Sequence, residues 1–343
     1  MKPNKKKTVF VGVSGGVDSS VAALLLKKKG YNVVGVYIKS WYPPGFPCPY
    51  PIDRRDAIRV CAKIGIPFLE LNLEKVYKKE VTDYLIKEYK KGRTPNPDVM
   101  CNKFVKFGAF FKKARAMGAN FVATGHYARL KNGKLYQARD KTKDQSYFLW
   151  ALTKKELKYS IFPIGEYLKK EVRQSAKKNN LPTAEKPDSQ GICFLGKIDI
   201  KEFLKKYIKE KKGKVLNENG EVIGWHKGVY FHTLGERHGF TISKKTPEDK
   251  PYYIIKKDVK KNTLTVAHEI KGKNLVKIRE INWIEKPKIN KKYSARIRHL
   301  GELKEVIFTK QGVFFKEPVL VAPGQSLVLY DREKCLGGGV VVQ

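Results

Sequence analysis

The sequence is poor in cysteine, in acidic residues and in long apolar runs. Its 343 residues include 5 cysteines, and no two are spaced C-x-x-C, which argues against a zinc site or an iron–sulfur cluster. Cysteines so few and scattered also exclude a disulfide scaffold. No apolar run reaches the length of a membrane span, and Met1–Lys7 lacks the apolar core of a signal peptide. We therefore expect a cytoplasmic protein that does not enter a membrane.

The shortage of acidic residues leaves a large positive charge. Lysine and arginine total 71 against 33 aspartate and glutamate residues, a formal net charge of +38. Such an excess attracts polyanions, so nucleic acid is the expected partner. A lysine-rich proteome, such as that of a thermophile, would give the same excess from composition alone. The charge by itself does not decide between these explanations.

The most informative stretch is S-G-G-V-D-S-S, residues 14–20. It follows an apolar run, Thr8–Val13, that is typical of a buried strand, and it leads into a predicted helix, Ser19–Lys29. A glycine turn at a helix N-terminus presents free backbone N–H groups to an anion. The string is neither a Walker A loop nor G-x-G-x-x-G. A capping turn is the simpler interpretation, but the full string directly after a strand resembles the pyrophosphate loop of the ATP-pyrophosphatase (PP-loop) superfamily. Within it, Asp18 would cap the helix or help to hold Mg²⁺.

The first half of the chain alternates strand and helix patterns, which predicts a doubly wound parallel sheet of the α/β class. The predicted strands are Thr8–Val13, Asn32–Ile38, Pro67–Leu71 and Asn120–Thr124; the predicted helices are Ser19–Lys29, Asp53–Ile64, Val76–Lys90 and Cys101–Met117, then Lys154–Lys158, Lys169–Asn179 and Lys201–Lys211. Ligands of such sheets bind at the carboxyl ends of the strands.

From about Gly213 the pattern changes to short β-like runs separated by turn residues. They include Val229–Thr233, Thr263–Ala267 and Leu275–Trp283. We predict a PP-loop domain over residues 1–212, a small central β-rich domain over 213–272 and a C-terminal antiparallel β-barrel over 273–343.

A second motif is T-P-N-P-D-V-M-C-N, residues 94–102. Its two prolines fix an extended loop, and Cys101 is predicted at a helix start. The helix dipole would lower the pKa of a thiol there, so Cys101 is a candidate nucleophile, and Asp98 is a candidate general acid/base. A capped helix with a half-buried cysteine explains the same residues equally well.

Three further motifs are individually weak. D-S-Q-G-I-C-F-L, residues 188–195, places Cys193 before an apolar run, where a buried filler is the simplest interpretation. A-T-G-H-Y-A-R, residues 123–129, ends a strand in Gly125 and His126, which suits close approach of a nucleotide or a satisfied loop histidine. K-D-Q-S-Y-F, residues 143–148, mixes polar and aromatic groups that could hold a splayed base, or it could begin a helix capped by Asp144.

Taken together and in this order, these motifs are more specific than any one of them alone. Followed by H-T-L-G-E-R, P-G-Q-S and L-G-G-G-V, they resemble the tRNA-specific 2-thiouridylase family from about Thr8 to the C-terminus. That resemblance implies an enzyme that uses ATP and Mg²⁺ to adenylate O2 of the wobble uridine in tRNAs for Lys, Glu and Gln. A cysteine persulfide then replaces the activated oxygen, giving 2-thiouridine and AMP. We also expect a monomer, with a cysteine desulfurase or a sulfur relay protein as the persulfide donor.

The resemblance also assigns residues to the site, but it assigns none of them as a ligand of a metal ion that stays bound to the protein. Nucleotide-binding positions are Gly12, Val13, Ser14, Gly15, Gly16, Val17, Asp18, Ser19, Ile38 and Gly125. Cys101 matches the nucleophile, Cys193 the persulfide carrier and Asp98 a catalytic position. Asn96, Pro97 and Asp98 match the segment that contacts the target base; His126, Lys143, Asp144, Gln145, Arg298, His299 and Gln325 match other tRNA contacts. Glu236, His238 and Leu300 depart from the family pattern, which puts details of the tRNA contacts in doubt.

Two other functions fit parts of the sequence. A ligase resembling argininosuccinate synthase would use the same loop, but it needs neither paired cysteines nor a charge of +38. A non-catalytic RNA-binding protein would need neither the intact loop nor both motif cysteines.

Overall fold

A five-stranded parallel sheet forms the centre of the first domain in the computed structural model, which describes residues 7–188, 198–243 and 250–342. Every neighbouring pair of its strands is parallel, as predicted. Their order is Phe68–Asn72, Asn32–Lys39, Thr8–Gly12, Phe121–Ala123 and Ser160–Ile161. Val9, Phe10 and Val11 are all buried, so both faces of the central strand are covered. The strand order reverses beside Thr8–Gly12, where the topology of such sheets opens a crevice for ligands.

Helices cover this sheet, and two of the longer ones run through a π-helical stretch. The first of these comprises Glu74–Tyr77, Lys78–Asp83 and Tyr84–Lys90; the second comprises Pro97–Met100, Cys101–Phe110 and Phe111–Ala116. The others in the described ranges are Val17–Lys28, Tyr50–Ile64, Lys154–Lys158, Lys169–Lys178 and Ile200–Lys205, with a 3₁₀ turn at Ser146–Leu149. None of the helices in these ranges has the length and apolarity that crossing a membrane requires.

The central domain contains a second five-stranded sheet. Its order is Phe240–Ile242, Val222–His226, Gly213–Leu216, Thr263–Ala267 and Tyr253–Asp258. The strand predicted at Val229–Thr233 is wrong, because Val229–Phe231 is a 3₁₀ turn. Gly228 precedes that turn with a φ of 150°, and its N–H is bonded to Nδ1 of His226 (3.0 Å), so the chain bends here instead of extending.

The third sheet joins the C-terminal domain to the first domain. Eight of its strands follow the order Lys273–Val276, Val313–Val319, Lys304–Phe308, Lys292–Arg296, Ser326–Asp331, Lys334–Val341, Lys134–Gln137 and Ala128–Lys131, and Ile278–Trp283 pairs with Lys334–Val341. The single strand predicted at Leu275–Trp283 is therefore two strands. The hairpin formed by Ala128–Lys131 and Lys134–Gln137 belongs to the first domain and extends the antiparallel sheet.

Candidate active site

The Ser14–Ser20 loop connects the central strand to the helix Val17–Lys28, at the crevice defined by the strand order. The helix begins at Val17, two residues before the predicted start, and Gly16 is its N-cap. Gly15 has a φ of 75°, and a Cβ added to it would lie 2.4 Å from the carbonyl oxygen of Asp53. Glycine is therefore required at this turn on both conformational and steric grounds.

The serines of the loop hold its shape. Ser19 Oγ accepts a bond from the N–H of Ser14 (3.1 Å) and donates to the carbonyl of Gly16 (3.1 Å). Ser20 Oγ donates to the same carbonyl at 2.7 Å. The loop is thus preorganised by its own side chains, with Ser14 exposed at its edge.

Asp18 does not cap the helix. Its carboxylate accepts bonds from Lys169 Nζ (2.7 and 2.8 Å) and from the hydroxyl of Tyr127 (2.9 Å). Lys169 also lies 2.9 Å from Asp188, which pairs with Lys143 at 2.9 Å. Burial alone would raise the pKa of Asp188, but the bonds from Lys143 and Lys169 outweigh it and hold the pKa well below its usual range. No local motif marks Lys169, and sequence reasoning missed it.

Other predicted nucleotide positions gather around this loop. A Cβ added to Gly125 would lie 2.6 Å from the backbone nitrogen of Ser19, so only glycine allows this approach to the helix start. Gly12 ends the central strand, and Val13 is buried directly after it. Ile38 is buried in the neighbouring strand, near its carboxyl end.

His126 lies in the interior, so its expected contact with tRNA is not accessible in this structure. Its Nδ1 is 2.7 Å from the hydroxyl of Thr124, and its ring lies among those of Phe107 and Phe162, with centroids 6.1 and 5.9 Å away. Burial, assisted by the charge of Lys106, lowers the pKa of His126 well below its usual value. The side chain is a neutral packing group between the sheet and the helix that carries Cys101.

The helix that carries Cys101 begins one turn earlier than predicted. Asn96 is its N-cap, with the side chain accepting from the N–H of Val99 (3.3 Å), and Pro97 occupies the first position, where its missing N–H costs nothing. Asp98 lies in the first turn and is partly exposed, whereas Cys101 lies in the next turn and is buried. Cys101 therefore lies beyond the first turn, where the influence of the helix dipole is strongest.

Asp144 is fully buried, so its side chain is not accessible for the predicted contact with tRNA and has a structural role instead. Its carboxylate pairs with Arg296 Nη1 at 2.6 Å and accepts bonds from the N–H groups of Ala138 (3.0 Å) and Ser146 (3.1 Å). The pair joins the first domain to the C-terminal sheet. Nearby, Gln145 is half-buried and accepts from the N–H of Tyr127 at 3.0 Å.

Of the remaining predicted tRNA positions, one is exposed and two contact other residues of the protein. Arg298 is exposed. The ring of His299 stacks on Phe148, with centroids 4.3 Å apart, and Gln325 Nε2 donates to the carbonyl of Thr94 at 2.9 Å. Asn102 Nδ2 donates to the carbonyl of Phe148 at 3.4 Å, so this group adjoins the helix that carries Cys101.

The cysteines differ sharply in environment. Burial raises the pKa of Cys61 to about 11 and that of Cys335 to about 12, which makes both thiols unreactive. Cys48 is exposed. Cys193 lies outside the described residues. Within the described ranges, no three His, Cys, Asp or Glu side chains are grouped to hold a metal ion.

Comparison with family models covers most of the chain. The tRNA methyl transferase HUP domain matches residues 7–197, the tRNA methyl transferase PRC-barrel domain 201–268 and the aminomethyltransferase beta-barrel domain 273–341. The tRNA-specific 2-thiouridylase MnmA of Geobacillus thermodenitrificans is 43% identical over 97% of this chain and 94% of its own length. The enzyme of the same name from Bacillus subtilis is 43% identical with the same coverage. This chain belongs to the tRNA-specific 2-thiouridylase family.

That assignment confirms the resemblance inferred from the motifs. Solved structures give more distant likenesses. The U34-tRNA thiolase NcsA from Methanococcus maripaludis aligns with a TM-score of 0.37 and 18% identity, over 59% of this chain and 67% of its own. A 4-thiouridine synthetase in complex with RNA and ATP aligns with a TM-score of 0.36 and 22% identity, over 58% and 50%. These likenesses are too distant to bear on substrate or mechanism.

Proposed function

We propose that this protein is an ATP-dependent tRNA 2-thiouridylase. One observation carries the proposal within the family: the helix of Cys101 is packed against the Ser14–Ser20 loop through two intermediate residues. Phe107 of that helix contacts His126, and the adjacent Gly125 lies against the backbone of Ser19. The helix of Cys101 and the anion-binding loop are thereby linked through neighbouring residues, which supports a reaction in which adenylation is followed by sulfur transfer.

In the proposed reaction, O2 of the wobble uridine attacks the α-phosphorus of ATP and pyrophosphate leaves. The persulfide sulfur on Cys193 then attacks C2, and AMP departs with the former O2. Cys101 completes the cycle by attacking the sulfur of Cys193, which releases the transferred sulfur into 2-thiouridine and leaves a Cys101–Cys193 disulfide. An external thiol must reduce that disulfide before the next turnover. Asp98, partly exposed at the helix start, serves as the general acid/base.

The residues of the loop fit a nucleotide triphosphate. Gly15 and Gly16 allow the backbone to approach the phosphates closely, and the residues from Ser14 to Ser19 supply N–H and hydroxyl donors. Ile38 and Gly125 border the site. Mg²⁺ is held in proteins by one or two carboxylates together with phosphate oxygens. Asp18 is the carboxylate in the loop, and it would exchange Lys169 for the ion. The bound ion would neutralise charge that develops on the phosphates.

The proposed partners follow from charge and family. A chain of net charge +38 suits tRNA, and the tRNAs for Lys, Glu and Gln are the proposed acceptors. Asn96, Pro97 and Asp98 would meet the target base, while Lys143, Gln145, Arg298, His299 and Gln325 would contact the surrounding RNA. We further propose a monomer in the cytoplasm, supplied with sulfur by a cysteine desulfurase or a relay protein.

The deciding experiment incubates the protein with ATP, bulk tRNA and a persulfide source, and then measures 2-thiouridine in digested tRNA. We expect Cys101→Ser to load a persulfide on Cys193 but to make no 2-thiouridine over multiple turnovers. Cys193→Ser should lose both loading and product, whereas Cys48→Ser, an exposed control, should retain full activity.

Peptide mapping after one turnover without reductant checks the cysteine roles. A Cys101–Cys193 bridge is expected; a bridge through Cys48, Cys61 or Cys335 would contradict the assignment. Formation of AMP that does not depend on tRNA would instead favour a small-molecule ligase.

A further inference from the structure

Thr94 of the first domain is bonded to both of the other domains. It is buried, and its N–H donates to the carbonyl of Pro323 at 2.8 Å. Its own carbonyl accepts from Gln325 Nε2 at 2.9 Å, and its hydroxyl lies 3.1 Å from that of Thr233. Pro323 and Gln325 belong to the C-terminal domain and Thr233 to the central domain, so one residue of the catalytic domain is fixed from both sides.

The C-terminal side of this junction is closely packed against Thr94. Gly324 has a φ of 95°, and a Cβ added to it would lie 2.9–3.1 Å from three backbone atoms of Thr94. The loop continues into Ser326, whose carbonyl accepts from the hydroxyl of Tyr147 (2.8 Å) and whose Oγ accepts from Trp150 Nε1 (3.0 Å). Thr94 therefore rests against a backbone segment that is itself bonded to Tyr147 and Trp150 of the first domain.

The central side is fixed through Glu236. The carboxylate of Glu236 accepts from the N–H of Thr233 at 3.0 Å and from Lys201 Nζ at 2.8 Å. Lys201 lies on the helix Ile200–Lys205. This helix therefore holds the turn that contains Thr233 and Glu236, whereas Thr233 itself contacts Thr94. The hydroxyl of Thr233 is thereby presented to Thr94 from a defined position.

Two residues beyond Thr94, Asn96 caps the helix that carries Asp98 and Cys101. Pro95 lies between them, and its ring fixes its own φ. Because this dihedral angle cannot adjust, a displacement of Thr94 also displaces the start of the helix. We propose that Thr233 is a positioning residue for thiolation, because its bond to Thr94 sets the location of that helix start. This inference rests on the proposed function.

Thr233→Val tests the inference, since it removes the hydroxyl and keeps the shape, while Thr233→Ser retains the hydroxyl. For Thr233→Val we expect the turnover rate of tRNA thiolation to fall about three- to tenfold, the range of one lost hydrogen bond. The KM for tRNA should stay within about twofold of the parent value. Amide exchange over residues 99–101 should accelerate by a similar factor, and Thr233→Ser should behave as the parent protein does.

A glycine pair provides a matched control. Gly324→Ala should accelerate the same amides, because its Cβ meets the backbone of Thr94. Gly220→Ala, at a φ of 86° with nothing within 4 Å, should not. Unchanged amide exchange and an unchanged turnover rate in Thr233→Val would overturn the inference, as would a higher KM for tRNA with unchanged exchange. If the parent protein makes no 2-thiouridine, the proposed function fails, and the exchange data still decide whether the junction exists.

Discussion

The Ser14–Ser20 loop and the segment 94–101 lie in the same domain but are built in different ways. The loop is shaped mainly by neighbours in sequence: Ser14, Ser19 and Ser20 bond to one another or to Gly16. The segment is shaped by residues more than a hundred positions away, including Thr233 and Gln325. A local motif can therefore be recognised from sequence, whereas the second site exists only when three domains are assembled.

This difference also determines how each region responds to damage. A local loop fails when its own backbone is strained, whereas an assembled site fails when a distant contact is lost. Substitutions at locally determined positions and at contacts between domains can separate these two kinds of failure, beginning with the one of largest expected effect.

Arg296→Met should destabilise the contact between the first domain and the C-terminal sheet. It leaves the fully buried carboxylate of Asp144 without its cation, which costs about 3–5 kcal/mol for a broken buried pair. We expect the urea midpoint of unfolding to fall accordingly, while binding of an ATP analogue to protein that remains folded stays within about twofold.

Arg298→Met is the matched control, because Arg298 lies on the same stretch but is exposed. Its stability should remain within about 0.5 kcal/mol of the parent protein. Equal losses in the two variants would show that losing this distant contact is no more damaging than losing an exposed charge.

Sequence patterns predicted those parts of the fold that depend on local signals. The bounds of Thr263–Ala267 and Lys154–Lys158 were predicted as the structure has them, and the parallel sheet followed from its alternating strands and helices. The hairpin Ala128–Lys131 with Lys134–Gln137 was missed. Its partner, Lys334–Val341, lies about two hundred residues away, and no local pattern specifies that pairing.

The same reason explains the candidate site. Gly15 was recognisable because a turn before a helix demands a residue that tolerates a positive φ. Asp144 was expected to contact tRNA because of the family resemblance, and no local pattern could reveal its burial, since its partner, Arg296, is 152 positions away. Charged residues are rarely buried without such a partner. The helix start at Pro97 was missed because two prolines suggested a loop, although proline is favourable at the first helical position.

Gly15→Ala should abolish most ATP-dependent chemistry. Its Cβ would lie 2.4 Å from the carbonyl of Asp53, and alanine is strained at a φ of 75°. We expect the rate of tRNA-dependent AMP release to fall about 100-fold, which corresponds to about 2.7 kcal/mol, while tRNA affinity stays nearly constant. Gly30→Ala carries the same strain, with a φ of 83°, but meets nothing within 4 Å, so it should remain active. Comparable losses in both variants would mean that backbone strain, and not the approach to Asp53, explains the effect.

Acid should weaken the central domain through His226. This side chain is buried, and burial together with the neighbouring ring of His232 lowers its pKa to about 4 from 6.5. The unfolded chain binds a proton below about pH 6.5 whereas the folded chain does not, so stability is complete above that pH and is lost as the pH falls toward 4. At pH 5 the loss is about 2 kcal/mol, calculated from these two pKa values.

Hydrogen exchange of the Val222–His226 strand at pH 7 and pH 5, corrected for intrinsic rates, measures this loss of stability. His226→Gln should remove the pH dependence of exchange in that strand. The Phe121–Ala123 strand near the Ser14–Ser20 loop is followed by another buried histidine, His126, and should be unaffected by this substitution. If His226→Gln alters both strands equally, the two domains open as one cooperative unit.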